Sequence, residues 1–178
     1  MNTRILLEGP KFQVTVKRLC YQLVENHSDF SGTVIVAMQP RGVYLANRIC
    51  SELGTILPKQ TIQRGDLDIT FFRDDFRRRP APIVPSSTRM EHIIEGKQVV
   101  LVDDVLWTGR SIRAGMDALQ AFGRPAKVEL LVLIDRRFAR QFPIEADYTG
   151  IRVDTIATQN VKVNWAETDG HDQVILTK

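Results

Sequence analysis

The stretch Val99-Val100-Leu101-Val102-Asp103-Asp104-Val105-Leu106-Trp107-Thr108-Gly109-Arg110-Ser111 constrains the fold more than any other part of the chain. Its first four residues form an apolar run with the character of a strand buried on both faces. Two adjacent carboxylates end the run, a small polar turn follows, and a helical pattern opens at Ser111. A strand that passes into a helix in this way fits an open parallel sheet, where ligands sit at the carboxyl ends of the strands. There, free backbone N–H groups and the positive helix end favour phosphate by about 0.3–1 kcal/mol, and up to ~2 when partly buried. Asp103 and Asp104 can accept hydrogen bonds from vicinal hydroxyls. Phosphate beside a diol is a sugar phosphate, and the segment predicts a site for one.

The rest of the chain supplies the partners of that strand. Phe12, Val16, Leu19, Cys20, Leu23 and Val24 repeat at helical spacing, which predicts a helix over about 11–27. Thr33 to Met38 reads as a buried strand, and Gly42 opens a helix through Leu45, Ile49 and Leu53 that stops at Gly54. Leu67 to Phe72 reads as the next strand. Periodicity then disappears between Arg73 and about Glu95, where Arg77-Arg78-Arg79 and Pro80, Pro82 and Pro85 predict a long mobile excursion. A helix from Ser111 to Phe122 and a strand from Val128 to Asp135 follow, and Val161–Val163 and Val174–Leu176 are expected to close the sheet region. Strand and helix alternate three times, so the expected architecture is α/β: a doubly wound, mainly parallel sheet flanked by helices. The 178 residues are expected to form one domain, 1–178.

Composition narrows the class. The chain is 43% hydrophobic and 25% charged, with a net charge of +3 that suits an anionic substrate. No window approaches eighteen consecutive apolar residues, and the start has no signal-peptide pattern, so a cytoplasmic protein is expected. Cys20 and Cys50 lie in apolar, helix-like contexts and read as buried free thiols. Two familiar phosphate cradles are missing: there is no G-x-x-x-x-G-K-[ST], and no G-x-G-x-x-G follows a strand.

Val99 to Ser111 resembles the phosphoribosyl-pyrophosphate signature of type I phosphoribosyltransferases: an apolar strand, two acids, two apolar residues and a Thr-Gly turn. The resemblance implies that Asp103 and Asp104 hold the ribose 2- and 3-hydroxyls. It implies that Thr108, Gly109, Arg110 and Ser111 cradle the 5-phosphate, with Val105, Leu106 and Trp107 completing the substrate-binding loop. Like charges placed side by side are costly without cations or hydroxyl donors, which agrees with a functional pair. The same family has a pyrophosphate loop similar to Gln39-Pro40-Arg41-Gly42, built on a cis peptide. An X–Pro bond takes the cis form far more readily than other peptides, so Gln39–Pro40 is predicted cis. Arg41 is the natural pyrophosphate ligand because its planar fork matches phosphate oxygens.

Asp66 to Phe76, with Arg73-Asp74-Asp75, is similar to the pyrimidine-operon regulator branch of the family, which is also a uracil phosphoribosyltransferase. Gly115 to Leu119, Gly123 to Pro125 and Pro143 to Gly150 carry the same likeness, which covers residues 32–150. It implies a small hood and a mobile loop, and Arg73 reaching the pyrophosphate. It also implies base recognition after the Val128–Ile134 strand, near Asp135 and Arg136. Mg²⁺ is the implied cofactor, with Asp135 and Asp104 as carboxylate ligands. Relatives acting on 6-oxopurines carry an acid at the position of Trp107; the bulky neutral indole favours a smaller base.

The expected reaction is uracil plus phosphoribosyl pyrophosphate giving UMP plus pyrophosphate. Two alternatives stay open. One is an UMP-sensing attenuator that binds RNA through Lys17, Arg18, Tyr21, Arg137 and Arg140, a reading weakened by Glu145, where the regulator branch usually has a basic residue, and by Asp154, Glu167, Asp169 and Asp172 nearby. The other is a phosphoribosyltransferase for orotate, a purine or xanthine. The resemblance implies a homodimer or homotetramer.

Overall fold

The computed structural model describes residues 3–75, 85–156 and 158–178. Strand β1 (Thr3–Glu8) runs into helix α1 (Gly9–His27), followed by β2 (Thr33–Met38), α2 (Gly42–Ile56) and β3 (Gln63–Leu67). Then come β4 (Gln98–Leu106), α3 (Arg110–Leu119), β5 (Lys127–Arg137) and β6 (Tyr148–Asp154). β7 (Asn160–Asn164), the one-turn helix α4 (Ala166–Asp169) and β8 (Gln173–Thr177) end the chain.

Five of these strands pair in parallel in the order β3-β2-β4-β5-β6. Their sequences are apolar runs because helices cover both faces. Ile35, Ala37, Val100 and Val102 pack toward α1 and α2, while Val34, Val36, Val99 and Leu101 pack toward α3. Each fully buried Val, Leu or Ile contributes about 1.5–3 kcal/mol of transfer free energy. The α1 stripe of Phe12, Val16, Leu19, Cys20 and Leu23 is buried as its spacing predicts. Both cysteines are free, and burial pushes the Cys20 thiol up to about 12 and that of Cys50 to about 11.

This strand order fixes where a ligand sits. From β2 the chain moves outward to β3, then returns to the other side of β2 for β4 and continues through β5 to β6. The order reverses between β2 and β4, and the crevice at the carboxyl ends of two such strands is the ligand site of an open α/β sheet. Gln39–Gly42 leaves β2 there and Asp103–Ser111 leaves β4.

Three expectations need correction. The strand read over Leu67–Phe72 ends at Leu67, and Thr70–Phe72 form a 3₁₀ turn. Asp68 stops the strand, its Oδ1 accepting the Thr70 N–H at 2.9 Å and the Thr70 hydroxyl at 2.6 Å; local side-chain bonds of this kind compete with a sheet ladder. Part of the excursion read over Arg73–Glu95 is held in place. Arg89 exchanges backbone hydrogen bonds with Asp66 at 2.8 Å, and the Asp68 carboxylate accepts the Ser86 N–H at 3.0 Å. Finally, the two C-terminal strands do not extend the parallel sheet. They form a separate antiparallel sheet in the order β1-β8-β7, the small hood. The short connection between β7 and β8, turning at Gly170 with φ +80°, suits antiparallel pairing, whereas a parallel pair needs a crossover of about a dozen residues. Among the described residues, no helix is long and apolar enough to cross a membrane.

Candidate active site

A cavity of about 620 Å³ opens at the switch point between β2 and β4. Arg41 lines it from the β2 side, Asp104 to Ile112 from β4 and the turn into α3, Arg136 from β5, and Asn160 to Val163 from the hood. Most residues singled out in the sequence therefore meet in one place. Gln39–Pro40 is cis, as predicted. Pro40 borders a neighbouring cavity of about 320 Å³, and Gly42 lies behind the main one. A Cβ on Gly42 would stand 2.3 Å from the Val102 carbonyl oxygen, so only glycine lets α2 start this close to β4.

The two carboxylates are held differently. Asp104 is 5% exposed and its Oδ2 accepts the Arg41 Nε at 2.8 Å. Burial pushes its pKa up, with Arg41 opposing the rise. Asp103 lies one residue back, and its Oδ1 accepts the Asp104 N–H at 2.9 Å. Burial, and then the neighbouring Asp104 charge, push its pKa well above the usual carboxylate range, with Arg73 and Arg41 opposing. A pair this costly to ionise favours cations or hydroxyl donors brought by a ligand. Arg41 also donates Nη2 to the Val163 carbonyl, tying the turn after β2 to the hood.

The turn into α3 has the form of an anion cradle. Gly109 adopts φ +88°, a left-handed conformation that places the first N–H groups of α3 at the cavity. The Thr108 hydroxyl accepts the Arg110 N–H at 3.4 Å, and the Thr108 carbonyl accepts the N–H groups of Gln141 and Phe142. Each nearby cation has an acid. Arg110 pairs with Asp74 and donates Nε to Gln141 Oε1 at 2.6 Å. Arg73 pairs with Asp75 at 2.8 Å and reaches the Ser111 hydroxyl at 3.5 Å. Arg77, Arg78 and Arg79 lie outside the described residues.

On the β5 side of the cavity, Trp107 is half-exposed and its ring faces Arg136, with the guanidinium carbon 4.6 Å from the ring centroid. Arg136 is buried, with Nε on Thr155 Oγ1 at 3.3 Å and Nη2 on the Gln159 carbonyl at 2.7 Å. Asp135, the other expected metal ligand, is engaged by arginines. Its buried carboxylate is gripped by Arg140, which also donates to the Trp107 carbonyl, and Arg152 stands 3.8 Å away. The described residues hold no group of three or more His, Cys, Asp or Glu suited to a metal. The Asp103–Asp104 pair fits Mg²⁺ better, because that ion binds one or two carboxylates together with substrate oxygens and water.

Asp74, Asp75, Gln141 and the hood residues Asn160 to Val163 were not singled out as cavity residues by sequence reasoning. The hood residues reach the site through a sheet that pairs the two ends of the chain, and no local pattern announces that contact. Asp74 and Asp75 adjoin Arg73 in sequence, and that adjacency was the available signal. The acids expected to form a repulsive C-terminal face are mostly paired internally. Asp154 holds Arg137, Glu167 and Asp172 hold Arg48, and Asp169 holds Lys162.

Comparison with known proteins agrees with this geometry. The family model for the phosphoribosyl transferase domain matches residues 2–168. The chain is similar to proteins named bifunctional protein PyrR. It is 43% identical to that of Desulfosudis oleivorans, over 96% of this chain and 94% of the relative. It is 42% identical to that of Streptomyces coelicolor, over 98% and 90%. Among solved structures, a hypoxanthine phosphoribosyltransferase from Staphylococcus aureus superposes with a TM-score of 0.71 at 20% identity, over 98% of this chain and 91% of that one. The enzyme of the same name from Trypanosoma cruzi gives 0.71 at 17% identity, over 97% and 95%. At such identities these two matches speak to the fold, which is that of type I phosphoribosyltransferases.

Proposed function

Because the chain belongs to the phosphoribosyltransferase family, we propose that it is a uracil phosphoribosyltransferase, making UMP and pyrophosphate from uracil and phosphoribosyl pyrophosphate. The observation that carries this reading is the placement of Asp104, Arg41 and the Thr108–Ser111 cradle around one cavity at the sheet's switch point. Asp104, backed by Asp103, accepts the ribose hydroxyls. Thr108 to Ser111 hold the 5-phosphate, and Arg41 and Arg73 hold the pyrophosphate. The C1–O bond to pyrophosphate breaks as a uracil nitrogen bonds to C1, and these contacts fix the geometry in which the two meet. Charge gathers on the departing pyrophosphate, where the arginine forks stabilise it. Asp104 and Asp103 are the residues that would hold Mg²⁺, which would supply further neutralisation of that charge. Trp107 and Arg136 wall the base side and limit it to a small ring. The same reading takes residues 1–178 as one domain in the cytoplasm.

The test is pyrophosphate release in the presence of Mg²⁺ with each base supplied in turn. Turnover with uracil and not with hypoxanthine, xanthine or orotate is expected. Turnover with hypoxanthine alone refutes the uracil assignment.

A second reading, RNA-bound control of pyrimidine genes, draws on the resemblance to the regulator branch and on the word bifunctional in the relatives' name. The local surface supports it less. Glu145 is exposed, Arg137 is paired with Asp154, Arg140 is turned inward to Asp135, and Arg18 donates to the carbonyls of Thr149 and Gly150. RNA affinity that falls steeply with salt, measured with UMP present and absent, would establish it.

A further inference from the structure

The cations that line the cavity differ in what compensates them. Arg41, Arg73 and Arg110 each hold an aspartate, and Lys162 holds Asp169. Arg136 is the exception. Among the described residues no carboxylate stands within ion-pair distance of it, and its neighbour Asp135 is held by Arg140. It is also the most buried of these cations, at 2% exposed. Its contacts are all neutral: Nε meets the Thr155 hydroxyl at 3.3 Å, Nη2 meets the Gln159 carbonyl at 2.7 Å, and the guanidinium carbon lies 4.6 Å from the Trp107 ring centroid. Nη1 has no acceptor among the described residues. A buried charge without an opposite charge is costly, so this site favours a ligand that brings negative charge to it.

The place of the cation says which charge it serves. Arg110 and Arg73 stand at the anion cradle of α3, and Arg41 stands on the β2 side. Arg136 comes from β5, across β4 from Arg41, and shares its part of the wall with an indole. A flat ring suits that wall better than a phosphate does. Uracil must lose its N1 proton to become a good nucleophile, and the charge left behind spreads onto its carbonyl oxygens. No histidine is among the described residues lining the cavity, and the three aspartates there hold Arg41, Arg73 and Arg110. Resting on the uracil phosphoribosyltransferase reading above, we propose that Arg136 is a catalytic residue that ionises the base, its Nη1 donating to the carbonyl beside N1 and stabilising the N1 anion. The N1 proton leaves to water, the N1 electron pair forms the bond to C1, and the C1–O pair departs with pyrophosphate. Arg136 keeps its own proton throughout.

The test uses 5-fluorouracil, whose ring N–H is made more acidic by fluorine and so depends less on a cation. Arg136→Met keeps much of the side-chain length and removes the charge. With Mg²⁺ and saturating phosphoribosyl pyrophosphate, kcat for uracil is expected to fall about 100-fold, the scale for removing one donor to a developing charge. For 5-fluorouracil the fall is expected to be about tenfold or less, because a more acidic base needs less help. Arg136→Lys, which retains a positive charge, should recover part of the uracil rate. Affinity for phosphoribosyl pyrophosphate, measured by calorimetry without base, should match the wild type. Equal losses with the two bases overturn the proposal, since Arg136 is then only a clamp on the loop between β6 and β7. Weakened phosphoribosyl pyrophosphate binding with equal losses assigns the arginine to a phosphate and overturns it too. The wild type supplies an independent reading that does not depend on the variant folding. A carbocyclic analogue of phosphoribosyl pyrophosphate, inert at C1, lets 5-fluorouracil bind without reacting. The ultraviolet band of the bound anion should then appear about one pH unit or more below that of the free base. An unshifted band in a chain that turns over uracil overturns this proposal alone. A wild-type chain that releases no pyrophosphate with any base overturns the reading of the site, and this proposal with it.

Discussion

Replacing Asp103 by Asn separates what the site costs the fold from what it gives the reaction. Burial and the adjacent Asp104 charge raise the Asp103 pKa, and Arg73 and Arg41 compensate only part of this. An asparagine keeps an oxygen able to accept the Asp104 N–H now bonded at 2.9 Å, and it removes the charge. Relief of a poorly compensated buried group is worth about 1–2 kcal/mol, within the range for unsatisfied buried polar groups. For a chain of this size that corresponds to a rise of roughly 2–8 °C in melting temperature. The sign follows from linkage. A carboxyl whose folded pKa is raised contributes stability fully below its unfolded value of about 3.9 and loses it as pH rises to the folded value. The gap between Asp103→Asn and wild type should therefore be near zero in acid, widen as pH rises through the raised pKa, and then level off. Urea unfolding at a series of pH values measures it. The same variant should lose about 10–100-fold in kcat/KM, because a hydroxyl bonds a carboxylate more strongly than an amide. If Asp103→Asn is no more stable than wild type at pH 8, the claim that this pair is under electrostatic strain is wrong.

Three further perturbations test other parts of the argument. Gly42→Ala places a methyl 2.3 Å from the Val102 carbonyl oxygen, so α2 must shift; a loss of about 1–3 kcal/mol and a raised KM for phosphoribosyl pyrophosphate are expected from urea unfolding and steady-state kinetics. Arg48→Ala strips the partners from Glu167 and Asp172 and the cover from Trp165; about 2 kcal/mol of stability should go, and unchanged urea midpoints would contradict the clamp described for the hood. For Glu129, burial raises the carboxyl pKa, but Lys127, His27 and Tyr148 outweigh it and hold the group below its usual range. A lowered folded pKa contributes stability above the unfolded value of about 4.3 and loses it as pH falls through the folded one. Glu129→Gln should therefore flatten the acid limb of the stability curve, as followed by circular dichroism.

What could be read from the sequence was local. Val99 to Ser111 and Gln39 to Gly42 each carry strand, turn and helix start within about a dozen residues, so their placement at the sheet's carboxyl edge followed from pattern alone. The failures were non-local or depended on competing side-chain bonds. Thr70, Phe71 and Phe72 have high β-propensity, yet the Asp68 carboxylate turns the chain before they can join the sheet. β1 exposes most of its residues and finds its partner at the opposite end of the chain, a pairing that no sequence window contains. The pairing of Asp135 with Arg140, five residues on, was likewise not announced by the sequence.

The three cavity arginines paired with aspartate differ in how freely they can be released to a ligand. The Arg110–Asp74 pair is 48% and 37% exposed, and Arg73–Asp75 is 27% and 34% exposed. Ion pairs in contact with water contribute about 0–1 kcal/mol, so a phosphate can displace those aspartates at little cost. Arg41–Asp104 is different, because Asp104 is almost wholly shielded and losing Arg41 requires another compensating group. On the proposed reading, ribose hydroxyls and Mg²⁺ would supply that compensation, arriving with the molecule that draws Arg41 away. On that reading the two phosphate ends of phosphoribosyl pyrophosphate do unequal work: the 5-phosphate would displace only the exposed Asp74 from Arg110, whereas the pyrophosphate, besides displacing Asp75 from Arg73, would rearrange the buried Arg41–Asp104 centre.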